Sequence, residues 1–181
     1  FWQNFPKALS AAPPGIVEVG LFPGRYRGDF PLRPGEHKTH RLLFDFAPPG
    51  RTAQEQADAA RAFSDPLLLE ASPEWWAKTE VLGVLHPYDP EHFGAYEVRN
   101  LSTVGVFPEG ATGRSLLSQI EALDFFGWMD YGDVPIDFES PTGQWNLKYD
   151  FDFCMLRQYA RTGRREWLAL FRAAAAHAAD I

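Results

Sequence analysis

Asn146, Tyr149 and Asp150 stand at i, i+3 and i+4 in the run Trp145-Asn146-Leu147-Lys148-Tyr149-Asp150. A helix there would project all three from neighbouring positions. Their types suit proton transfer at an anion. A tyrosine hydroxyl can pass a proton, an asparagine amide can donate to a carboxylate, and an aspartate can orient hydroxyls or a neighbouring base. Just upstream, Gly127-Trp128-Met129-Asp130-Tyr131-Gly132-Asp133 adds Tyr131 and Asp133 as polar contacts. A second constellation is His37, Lys38 and His40, three cationic or proton-switchable groups able to grip an acidic ligand. Plainer readings stand beside both. An Asn near a helix start is often a cap, Asp150 can serve a buried hydrogen-bond pair, and charges on an edge strand deter pairing.

Stepping from these residues to their supports, Gly15 to Phe22 alternates, with Val17, Val19 and Leu21 on one face, and predicts a half-buried strand. His37 to Phe46 carries the clearest strand pattern, His40, Leu42, Phe44 and Phe46 sharing a face. On such a strand His37 and Thr39 face away from Lys38 and His40, so no metal pair is expected. Thr52 and Glu55 form a capping-box signature for a helix over Ala53 to Phe63. Ser72-Pro73-Glu74-Trp75-Trp76 predicts a brief second helix, with Pro early. Val81 to Leu85 and Tyr96 to Leu101 are read as further strands, within a loop-like texture from Pro87 to Pro108. Leu116, Leu117, Ile120 and Leu123 fit a short amphipathic helix. Trp145 to Arg161 shows apolar residues on more than one side, the mark of an interior helix, with Cys154 expected as a buried thiol. Thr162-Gly163 stops it. An outer helix follows, with Trp167, Leu170, Phe171, Ala174 and Ala178 inward, and Arg164, Arg165, Arg172 and Asp180 outward. His177, late on that helix, is read as structural, His86 and His92 as solvated loop residues, and Trp75-Trp76 as core or as a stacking platform.

Composition narrows the classes. A net charge of −7 with no basic run argues against nucleic acid, and no apolar run reaches membrane length. The hydrophobic fraction of 45% is that of a folded protein, and 15% aromatic residues with six Trp exceed what packing alone calls for. The chain opens on Phe1 and stops within a helical pattern, so an internal piece of a longer protein is expected. Gly-rich phosphate loops, Cys pairs and nucleophile elbows are absent from the sequence.

The runs Gly127-Trp128 to Tyr131-Gly132-Asp133, Asn146-x-x-Tyr149-Asp150 and Arg157-Gln158-Tyr159-x-Arg161-Thr162-Gly163 resemble the opening of the α/α-toroid domain of exo-rhamnogalacturonan lyase-like proteins. Phe1-Trp2-Gln3-Asn4-Phe5-Pro6-Lys7, Leu21-Phe22-Pro23 and Gly35-Glu36-His37-Lys38-Thr39-His40 resemble that family's central β-sandwich. The resemblance implies part of a β-sandwich over 1–108, then a linker and the first helical hairpin of an α/α toroid over 109–181. It further implies a secreted or periplasmic lyase that cleaves acidic rhamnogalacturonan-type polysaccharide by β-elimination, inactive as an isolated fragment. Such a lyase needs a base, an acid and a partner for the uronate carboxylate. Tyr149, His40 and His37 are the candidate proton handlers, and Asn146, Lys38, Asp133, Asp150 and Tyr131 the candidate substrate contacts. No cofactor is expected, and the sequence gives no support for calcium. The rival readings are a glycoside hydrolase using Asp133 and Asp150 and a non-catalytic carbohydrate-binding or structural protein.

Overall fold

A computed structural model describes residues 5–26, 28–29, 31–136, 143–145 and 148–180. The chain divides into two compact units, Phe1–Thr39 with Ser72–Ile181, and His40–Ala71.

In the larger unit, strands β1 (Ala8–Ala12) and β2 (Ile16–Gly20) pair antiparallel from Ala8↔Gly20 to Ala12↔Ile16. The expected strand near Val17 therefore forms; of its expected inner face Val19 is half-buried, whereas Val17 and Leu21 are exposed. A second ribbon joins β3 (Val134–Ile136) to β4 (Gly143–Trp145). Helices α2 (Pro73–Thr79), α3 (Pro90–Thr103), α4 (Leu116–Ala122), α5 (Phe151–Thr162) and α6 (Arg165–Asp180) make up most of the rest. Their starts are chemically legible. The Ser72 and Asp89 side chains accept from the Trp75 and His92 amides, each before a proline in the first turn. Ser115 and Ser118 cap α4 reciprocally. Gly163, at φ 66°, ends α5 in the left-handed region and turns the chain into α6.

The core lies on that α5–α6 hairpin. Met155 and Tyr159 of α5 meet Trp167, Leu170 and Ala174 of α6, with Val104 and Val134 sealing the cluster and α4 packing on it through Leu116, Leu117 and Ile120. Each large apolar side chain buried this way contributes about 1.5–3 kcal/mol. Helix packing therefore carries the unit, with Val134 of β3 added to it, while the β1–β2 ribbon stays mostly exposed. A separate polar joint ties α3 to α5. Glu97, fully buried, takes a two-pronged contact from Arg161, whose Nε donates to the His86 carbonyl at 2.9 Å. A charge so deeply buried is tolerable only with a partner of this quality.

The smaller unit holds α1 (Ala53–Ser64), with the predicted Thr52–Glu55 capping box complete. Asp45 pairs with Arg51, and the Arg41 guanidinium lies 5.3 Å from the centroid of Phe63. Asp45, Pro48, Arg51 and Gln56 line a cavity of about 530 Å³ in this unit. Not one residue of the unit is buried.

Several expectations are corrected here. The β-sandwich does not form: among the described residues each sheet has two strands only. No α/α toroid begins either, since a single helical hairpin sits on α2 and α4 in a mostly helical unit. His37 to Phe46 is irregular, with Phe44 58% and Phe46 94% exposed. Alternation alone makes no strand, because backbone groups need a neighbouring edge to pair with. Tyr96 to Leu101 is helical, as Glu97 and Leu101 at i and i+4 are the inward pair. Helix α5 starts at Phe151, not Trp145, and buries Met155, Tyr159, Ala160 and Arg161, so Cys154 lies outside its buried stripe and is exposed.

Candidate functional site

The loop from Asp124 to Asp133 carries no hydrophobic period, and its shape comes from local hydrogen bonds. Phe5 pairs with it as a short bridge, its carbonyl accepting from the Trp128 amide at 2.8 Å. Phe22 meets Trp128 edge-on at 5.3 Å. The Asp130 carboxylate accepts from the Gly127 amide at 2.7 Å, and the Asp133 amide donates to the Asp130 carbonyl at 3.0 Å. Gly132, at φ +97°, then lies flat on α6. A Cβ there would sit 2.4 Å from the Ala173 carbonyl oxygen and 2.7 Å from the His177 Cβ. Only glycine permits that approach, and it sets Asp133 against His177.

Asp133 Oδ1 lies 3.2 Å from His177 Nε2, the side chains being 5% and 4% exposed. Burial pushes the Asp133 carboxyl up to about 7, with the Asp130 carboxylate adding to the rise and Lys38 pulling against it. His177 moves the other way. Burial disfavours its charged form and Lys38 adds to that, while Asp180, the Tyr131 backbone and Asp130 oppose. Asp130 is itself raised, first by burial. A carboxyl and an imidazole thus share a dry site in which burial favours the neutral form of each.

One turn further along α6, Asp180 anchors the segment before the smaller unit. Its carbonyl accepts from the His37 amide at 2.8 Å, and its carboxylate from the Thr39 amide at 3.1 and 3.2 Å. The same carboxylate lies 3.6 Å from His37 Nε2, with the imidazole 61% exposed and the Asp180 side chain 6% exposed. A solvent-facing imidazole backed by a buried carboxylate can be held in one orientation and pass protons at the surface.

The structure therefore brings together His37, Lys38, Tyr131 and Asp133, which the sequence placed in two separate constellations. Two partners were not foreseen. His177 was read as structural, in keeping with its burial, but its pairing with Asp133 was not expected; Asp180 was read as outward and is buried. Their signal was present: Trp167, Leu170, Ala174, His177 and Asp180 follow one another at three or four residues, so the polar pair prolongs the inward stripe of α6. Asp133 is sealed, so it can act on a ligand only through its neighbours.

Tyr149 is 75% exposed in a short 3-10 turn before α5, and both it (φ 65°) and Asp150 (φ 51°) are left-handed. Consecutive left-handed residues interrupt the helix that was to align them with Asn146, and Asn146 lies outside the described residues, as do Phe1 to Asn4. His40 is the first residue of the smaller unit. Trp75 and Trp76 meet edge to face at 5.2 Å, Trp75 half exposed, so they do not form one flat platform. His92 lies in the first turn of α3, its amide donating to the capping Asp89 carboxylate and its Nδ1 2.9 Å from the same group. Among the described residues no group of three or more His, Cys, Asp or Glu is placed to hold a metal ion, and no helix is long and apolar enough to cross a membrane.

No family model, curated protein or solved structure matches this chain.

Proposed function

We propose that residues 37–39, held on the last turn of α6, form a proton-handling and anion-binding site, with His37 as acid or base, Asp180 orienting it, and Lys38 as the partner of a ligand carboxylate. The observation that carries this reading is the exposed His37 imidazole set 3.6 Å from the buried Asp180 carboxylate. Lys38 follows directly in the chain and is only partly buried. Taken with the sequence resemblance, the reaction this site suits is β-elimination on an acidic polysaccharide. There a base removes the proton beside a uronate carboxylate, and the departing glycosidic oxygen is protonated. Tyr149, exposed at the head of α5, is available as a second proton handler.

Binding is the first test. Acidic rhamnogalacturonan oligosaccharides titrated into the chain should shift the His37 and Lys38 resonances, and Lys38→Met should abolish the effect. Turnover, where present, should yield an unsaturated product absorbing in the ultraviolet and should be lost in His37→Ala. Oligosaccharide that leaves both resonances unmoved would remove the reading, and saturated reducing ends without ultraviolet absorbance would favour hydrolysis.

A further inference from the structure

In the smaller unit, Arg41 to Phe46 alternates like a strand, yet Leu42, Phe44 and Phe46 are 47%, 58% and 94% exposed. Among the described residues no backbone hydrogen bond engages an N–H or C=O group of this stretch. Backbone in that condition, beside bare apolar side chains, is a template for another strand. We propose that the stretch pairs antiparallel with the same stretch of a second copy of the chain, about a two-fold axis through Leu43.

The second copy is singled out because the stretch is complementary to itself. With Leu43 opposite Leu43, Arg41 of each copy faces Asp45 of the other, so both charges are answered. Leu42 then faces Phe44 on either side of the axis, an aliphatic side chain against an aromatic one. A slip of one residue sets Arg41 against Phe46 and Asp45 against Leu42, and turns the apolar side chains to opposite faces. Parallel pairing in register sets Arg41 on Arg41 and Asp45 on Asp45. The antiparallel register about Leu43 avoids each of these conflicts.

The unit also supplies the helix that a two-stranded ribbon needs behind it. The odd-numbered side chains already engage α1 and the turn before it. Arg41 lies over Phe63, Asp45 pairs with Arg51, and Leu43 lines the cavity with Gln56, Ala59 and Ala60. Asp45 and Arg51 are partly exposed, and a carboxylate has acceptor sites for two guanidinium groups at once. Pro48 and Pro49 lack the N–H that would carry the ladder further. A unit in which no residue is buried gains from any added cover. A two-fold contact uses the same edge on both copies and so stops at two.

Sedimentation velocity of the full chain should show a reversible monomer–dimer equilibrium at concentrations up to about 1 mM, since so short a contact belongs with weak interfaces. Amide exchange from Arg41 to Phe46 should slow as the concentration rises. Arg41→Asp and Asp45→Arg each set like charges opposite one another twice, and each should weaken dimerisation about tenfold. Both positions are exposed, so neither change disturbs a packed side chain. An equimolar mixture of the two variants should dimerise as the wild type does, because every opposing pair is then of opposite charge. A chain that stays monomeric to about 1 mM would overturn the pairing and leave the stretch to a different protein. A dimer indifferent to both reversals, a mixture no tighter than either variant alone, or growth beyond two copies would overturn it as well.

Discussion

Replacing Asp133 with Asn should stabilise the protein above neutral pH and change little in acid. Asn keeps the shape and hydrogen-bonding capacity of a neutral carboxyl, so the substitution isolates the charge. Folding raises the carboxyl from its ordinary 3.8 to about 7. With a raised folded value, its favourable contribution is complete below about pH 3.8, fades through about pH 7, and is gone above that. The full gap corresponds to about 4 kcal/mol, and solvent relaxation around the charge brings the expected gain at about pH 8 to roughly 2–4 kcal/mol. His177, whose charged form is disfavoured by burial, titrates in the opposite sense, losing stability as pH falls below its ordinary 6.5. The wild-type profile therefore mixes two trends, and the difference between variant and wild type removes most of the second. Urea unfolding at a series of pH values measures that difference directly. It should be near zero at about pH 4 and grow steadily to about pH 8. An Asn variant equally destabilised at every pH would show that Asp133 is held by packing or hydrogen bonding, with no cost for its charge, and would refute the reasoning.

Three further outcomes follow from the same geometry. Gly132→Ala sets a methyl 2.4 Å from the Ala173 carbonyl oxygen at a positive φ, and should cost about 2–4 kcal/mol in denaturant unfolding. Arg161→Met strands the fully buried Glu97 and should cost about 3–5 kcal/mol, most of it recovered when Glu97→Leu is added; a double-mutant cycle checks this. Cys154 should be labelled by a thiol reagent in the native protein, whereas labelling only on unfolding would contradict its exposure.

How much of this was legible beforehand depends on how far each residue's partner lies along the chain. Thr52 with Glu55, Ser72 before Pro73 and the stop at Gly163 announce helix ends, and all three appear where expected. A cap is satisfied within about one turn, so its whole physics sits in a few consecutive residues. The apolar stripe of α6 was readable for the same reason, its period being intrinsic to the helix. The segment from His37 to Phe46 shows the limit. Its alternation is strand-like, but a strand exists only if another edge lies alongside, and among the described residues no strand pairs with it.

The site was divided in the same way. The sequence by itself determined that His37, Lys38, Tyr131 and Asp133 are groups able to hold charge and move protons. Tertiary structure alone decided that Asp133 is sealed against His177 and that His37 leans on Asp180. The reason is electrostatic. A carboxyl's proton affinity is set by the water it loses and the charges it meets; α6, more than forty residues along the chain, takes away the water, while the charges are those of Asp130 and Lys38. Those quantities come into being only when Gly132 lets the loop settle on the helix.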